Sequence, residues 1–287
     1  MTLRLFTLVD GLQYRQWMRD GLVKSLQWPA NHSSIKNAEW NLYTTQESAD
    51  EVIEIARPVG IALSVKIVEP QWAGQFLANA VNHCLRGCSE HGDQMLVCPP
   101  DTIFSEGSLA TFLALAAEPK VVISSPPVRV VPSFFEGFTG EPMSGADMVS
   151  LAWKNLHSTW RDANIKLPRN NSFAGGVSWR QVSEKIFTVT HLLPTPFYID
   201  PAPSDGEWFR QYGMPGAFDH LWPGKLVDEG RQRYVASSDA AFAVEITEDD
   251  KNLPVLYPVD PTNPTNYLGN QKHNHVNRNT VCIFRSA

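Results

Sequence analysis

Apolar and polar positions change rhythm repeatedly along the first part of the chain. Residues 3–9, LRLFTLV, form a short apolar run that predicts a strand. In YRQWMRDGLVKSL, Tyr14, Trp17, Met18, Leu22 and Leu26 recur at helical spacing. WNLY (40–43) predicts a second strand, and TTQESADEVIEIA a helix that opens on capping residues and stops before Pro58. IALSVKIV (61–68) predicts a third strand. The clearest helix spans 71–90, where Trp72, Phe76, Leu77, Ala80, Val81, Cys84, Leu85 and Cys88 return to one face. A strand QMLVC (94–98), a helix EGSLATFLALAAE (106–118) and a strand KVVISS (120–125) follow. Strands alternating with helices predict an α/β fold with parallel strands.

The second half has a weaker rhythm. SGADMVSLAWKNLHSTWRDA (144–163) predicts one helix with Ser144 as its N-cap. EKIFTVTHLL (184–193) reads as a strand and PTPFYIDPAPSDGEW as a proline-rich loop. RQRYVASSDAAFAVEIT reads as strand, turn, strand, and the polar tail YPVDPTNPTNYLGNQKHNHVNRN as loop. One body with a regular nucleotide-type half (1–130) and an irregular acceptor-type half with its tail (131–287) is expected.

Composition narrows the class. With 43% hydrophobic and 19% charged residues, 287 residues suffice for a substantial core without long disordered tracts. A net charge of −6 argues against a general grip on a nucleic-acid backbone, though a local basic groove remains compatible with it. Four cysteines, Cys84, Cys88, Cys98 and Cys282, make no disulfide framework. No signal peptide pattern or membrane-length apolar run occurs, so a cytoplasmic protein without a membrane span is expected.

Several residues invite chemistry. Asp101 follows the 94–98 strand, and Pro99 and Pro100 stiffen the exit. The next segment opens a helix with free amides. A carboxylate there suits a divalent cation, a sugar hydroxyl, or simply a turn. HCLRGCSEH lacks the spacing of paired metal hooks, and Cys84 and Cys88 already belong to the apolar helix face. His191 ends a strand and suits a diphosphate, a proton transfer or a loop hydrogen bond. Asp239 sits in a turn, SSDAAF, where it is an ordinary turn former or a general base. His273 and His275 face one way if they lie on a strand, and have no role on a loose tail. No phosphate-loop, nucleophile-elbow or dinucleotide glycine motif is present.

The order of elements, ending in a strand followed by an acid, resembles the nucleotide-sugar half of a GT-A-type glycosyltransferase. LVDGLQYRQWMRDGLVKSL, NLYTTQESADEV, CPPDTIFSEGSLATFLALA and HLLPTPFYIDP also resemble a group of bacterial glycosyltransferase-like proteins. The resemblance implies a Rossmann-like central mixed sheet flanked by helices, with a nucleotide-sugar as donor. It implies Val9, Asp10, Gly11 and Tyr14 beside base and ribose, and Thr44 and Thr45 at the second strand end. The family's D-x-D triplet corresponds to Pro99–Pro100–Asp101, so one acid is retained. Asp101 would hold Mn²⁺ or Mg²⁺, weakly or with a further ligand such as His275, or no metal would be used, and Arg129 would assist the diphosphate. Glycosyl transfer also needs a base for the acceptor hydroxyl, for which Asp239 and His191 are the candidates. Trp208 and Trp222, expected in exposed loops, would stack on sugar faces. The acceptor is open: a glycan, a small molecule or a macromolecule, with nucleic acid disfavoured by charge. A nucleotidyltransferase, or a non-catalytic scaffold that binds nucleotide or glycan, is the alternative.

Overall fold

The computed structural model describes residues 1–69, 73–161, 177–191, 195–212, 222–248 and 282–287. Its strands are β1 (Leu3–Val9), β2 (Glu39–Thr44), β3 (Ala62–Ile67), β4 (Gln94–Val97), β5 (Thr102–Phe104), β6 (Val122–Ser125), β7 (Val128–Val130), β8 (Val177–Ser183), β9 (Ile186–His191), β10 (Thr195–Ile199), β11 (Gln232–Tyr234), β12 (Ala243–Ile246) and β13 (Cys282–Arg285). Seven form a central sheet in the order β11-β6-β10-β4-β1-β2-β3. All neighbours in it run parallel except β10, which is antiparallel to β4 and β6. The fold is therefore α/β, with a mixed, Rossmann-like central sheet flanked by helices.

Both sheet faces are covered, which explains why the strands read as near-continuous apolar runs. Leu5, Val9, Trp40, Leu42 and Leu96 pack into one core under the segments 12–35 and 49–59. Phe6, Tyr43, Met95 and Val97 point the other way, against helix Ala73–His91. That helix buries Phe76, Ala80, Val81, Cys84, Leu85 and Cys88, the predicted face; Trp72 lies outside the described residues. Two small sheets, β5-β12-β7 and β13-β9-β8, close a third core that contains Phe134, Met148, Trp160 and Phe284. Gly21 allows the close approach of β5 to the first helical segment: a Cβ there would lie 2.8 Å from Ile103. No helix among the described residues is long and apolar enough to cross a membrane.

Three local expectations are corrected. The segment read as a proline-rich loop contains β10, a central strand, and helix Pro203–Tyr212. Pro196 is accommodated because the register slips between Pro196 and Tyr198, where the missing N–H costs no regular ladder bond. Pro203 occupies the first helical position, and Asp205 reaches back to accept from the Ala202 N–H at 2.8 Å. Trp222 is accordingly no exposed platform: it is fully buried in helix Trp222–Asp228, and Trp208 is half-buried beside it. The helix expected over 144–163 ends at Lys154, although Ser144 does cap it by accepting from the Asp147 N–H. The chain leaves the helix there because β7 recruits it: Val131 N–H donates to Asn155 O, and His157 N–H to Arg129 O.

Candidate functional site

The first four strands lie in the order 3-2-1-4, so the connections leave β1 and β4 in opposite directions. In open α/β sheets ligands bind beyond the carboxyl ends of the strands at such a switch point. Two loops meet there in this chain.

The first is Val9–Asp10–Gly11. Gly11 has φ 87° and ψ 155°, a region that essentially only glycine adopts, and it opens helix Leu12–Trp17. A Cβ there would meet nothing within 4 Å, so the backbone angle and not crowding requires glycine. Asp10 and Gly11 are exposed. Val9 is in the core, and its carbonyl accepts from Thr44 Oγ1 at 2.9 Å. Thr45 and Arg15 both donate to Ser48 Oγ, at 3.3 and 2.6 Å.

The second loop is the turn Pro99–Pro100–Asp101–Thr102, closed by Thr102 N–H donating to Pro99 O at 3.1 Å. Pro100 takes the second turn position, where its fixed φ is favourable. Thr7 Oγ1 donates to Cys98 O at 2.7 Å while accepting from Trp40 Nε1 at 2.8 Å. On the other side Ile246 N–H donates to the Asp101 carbonyl at 2.8 Å. The turn is thereby held between β1 and β12, and half-buried Asp101 has little freedom.

Tyr14 lies in the helix that the first loop opens. Burial, followed by the carboxylates Asp101, Glu245 and Glu248, pushes its hydroxyl up to about 12; Arg129 opposes the shift. These four charged groups thus act on one phenol. Arg129, on β7, donates to the Glu245 carboxylate on β12 at 2.9 Å, as the parallel register pairs them. The buried His157 steadies the neighbouring loop: its Nε2–H donates to Glu248 O at 3.1 Å, while Nδ1 accepts from Thr159 N–H, which assigns the tautomer. An acid-rich site of this kind suits hydroxyl-bearing or cation-bridged ligands better than bare anions.

The tertiary structure thus brings Tyr14, Asp101 and Arg129 together with two residues not singled out from sequence, Glu245 and Glu248. A signal for Glu245 existed in AVEIT, where one charge interrupts an apolar strand. Asp239 lies on an exposed turn and is ion-paired with Arg285. His191 ends β9, and its side chain is outside the described set, as are His273 and His275. Among the described residues no three His, Cys, Asp or Glu side chains converge as a cation site.

The strand order defines a Rossmann-like α/β protein, with the loops after β1 and β4 at its switch point. No family model matches the chain, and no curated protein sequence does. Three solved structures are distantly similar in shape. One is a Bacillus anthracis protein described as a glucose-1-phosphate thymidylyltransferase, in complex with sucrose. Its TM-score is 0.42 at 11% identity, over 81% of this chain and 86% of that one. Mannose-6-phosphate isomerase of Helicobacter pylori scores 0.32 at 13% identity, over 44% of this chain and 51% of that one. 4-Diphosphocytidyl-2C-methyl-D-erythritol synthase scores 0.31 at 14%, over 46% and 63%. At these scores the likenesses define no activity.

Proposed function

We propose that the chain is a glycosyltransferase that takes a sugar from a nucleotide-sugar donor. The observation that carries this reading is that Asp101 is fixed on a turn at the carboxyl end of β4, at the switch point, with Tyr14, on the helix after β1, within reach of its charge. In the reaction the bond from the anomeric carbon to the diphosphate breaks, and its electrons leave with the diphosphate. An acceptor oxygen bonds to that carbon, and its proton passes to a base. Asp10, the Gly11 backbone and Tyr14 take the nucleoside. Asp101 holds donor hydroxyls or, through a cation, the diphosphate. Asp239 and His191 are the candidate bases. A cation would neutralise the leaving group, with Asp101 as one ligand; the described residues do not by themselves assemble its site.

A second reading, nucleotidyl transfer, rests on Glu245 and Glu248, whose charges act on Tyr14 as that of Asp101 does and which the sequence around Asp101 lacks. A thermal-shift screen with UDP-, GDP-, CMP- and dTDP-sugars and with the nucleoside triphosphates, each with Mn²⁺, Mg²⁺ or EDTA, tests both. Stabilisation by one sugar nucleotide, lost in Asp101→Asn, supports a donor site here. Stabilisation only by a nucleoside triphosphate, with pyrophosphate released on adding a sugar phosphate, supports the second reading. No shift with any of them sinks both.

A further inference from the structure

We propose a second ligand site in this protein, a phosphate-binding cavity between helix Ala73–His91 and the β1–β3 face. The cavity has a volume of about 330 Å³, and its lining includes Arg4, Asn41, Lys66, His83, Arg86 and Gly87. It is separate from the switch point: Arg4 and Asp10 are six residues apart along β1 and its exit, roughly 20 Å in extended chain.

The sheet register builds the floor. Tyr43 pairs with Lys66 and Asn41 with Ser64, so these side chains share the face that helix Ala73–His91 covers. The helix packs over β1 and β4 and leaves edge strand β3 half-covered, which opens the cavity.

Its charge is basic. Arg4 is committed to Asp93 at 2.7 Å, but Lys66 forms no ion pair among the described residues. Arg86 has only a long contact to Glu90, at 4.0 Å and largely in solvent. Two cations therefore face a space with one acid, Glu90, on its wall. A lysine point charge beside an arginine fork suits a tetrahedral oxyanion.

Two residues of the wall also carry unmet donors, although these atoms themselves are not exposed to the cavity. Asn41 is only 2% exposed, yet its Nδ2 has no hydrogen-bond partner; Arg86 Nε has none either. Buried donors of this kind are normally satisfied. Tyr43 and His83 already bond each other at 2.9 Å. Burial, Lys66 and Arg86 lower the His83 pKa, as a positively charged surrounding does.

Gly87 completes the site. It sits inside a 19-residue helix, where glycine is unfavourable, and a Cβ there would meet nothing within 4 Å. No packing demands glycine at this wall, and the missing side chain leaves the cavity open there.

The test titrates the full chain with inorganic phosphate, with glucose 6-phosphate and with succinate at constant ionic strength, by calorimetry and ³¹P line broadening. Saturable phosphate binding is expected, at least tenfold weaker in Lys66→Gln and in Arg86→Gln, and unchanged in Asp101→Asn. Lys66 is on an edge strand, so its variant folds even if Arg86→Gln does not. Tighter binding of the sugar phosphate identifies an ester as the ligand, and equal binding identifies the free ion; either result supports the site. No saturation, equal binding of succinate, or undiminished binding by both variants overturns it. Because Asp101→Asn leaves this binding intact, the outcome is independent of the donor-site reading.

Discussion

Tyr14, just after β1, lies in the field of Asp101, just after β4, and its hydroxyl is held protonated well beyond the usual range. An ultraviolet titration compared with Tyr14→Phe is expected to show this phenol ionising near pH 12, against about 10 for a free tyrosine. Burial is the larger cause, so Asp101→Asn brings the value down only part of the way. The raised pKa stabilises the fold below about pH 10, and that contribution is lost as pH rises toward 12. An ordinary titration near pH 10 removes Tyr14 from this environment.

Asp101→Ala is expected to abolish transfer while the melting temperature stays within about 2 °C of wild type, because a half-buried turn carboxylate carries little core energy. Asp239→Asn and His191→Gln test the two candidate bases in the same assay. A base variant lowers kcat and leaves donor binding, read by thermal shift, unchanged. Normal turnover by the Asp101 variant eliminates it from the mechanism.

Gly11→Ala places a side chain at φ 87° and ψ 155°. The expected cost is about 1–3 kcal/mol, or a shifted loop that weakens nucleotide binding. Urea unfolding and the donor thermal shift separate these outcomes. A variant with neither defect shows that the loop relaxes freely.

Asp205 is fully buried, and both its oxygens are held by Arg231, at 2.7 and 3.0 Å, with Lys225 at 2.8 Å. Burial pushes its pKa up, but the bonds from Arg231 and Lys225 outweigh that and lower it overall. The depressed pKa gives stability that is full above the unfolded value of about 3.9 and lost as pH falls through the folded one. Asp205→Ala removes the buried partner of Arg231 and Lys225, which keep only the partly exposed Glu229, and is expected to cost up to about 3 kcal/mol at pH 7. That loss is expected to shrink in denaturant melts at pH 3. An equal loss at both pH values means that the acid contributes through packing alone.

Periodicity made the α/β half legible. β1, β2, β4 and helix Ala73–His91 each bury one strong apolar pattern, and local hydrophobic spacing suffices to specify such elements. Position after a strand also singled out Asp101. β10 was hidden because Pro196 and Pro203 read as loop residues, and only its neighbours β4 and β6 make a strand there favourable. Helix 144–163 looked continuous because nothing local reveals that β7 competes for Asn155 and His157. Glu245 and Glu248 reach Tyr14 only when β12 pairs with β7, and the cavity with Lys66 and Arg86 exists only because a helix leaves an edge strand half-covered. Hydrophobic spacing along the chain determined the elements. Long-range pairing decided which of their polar side chains meet, because register and packing depend on residues far apart in sequence.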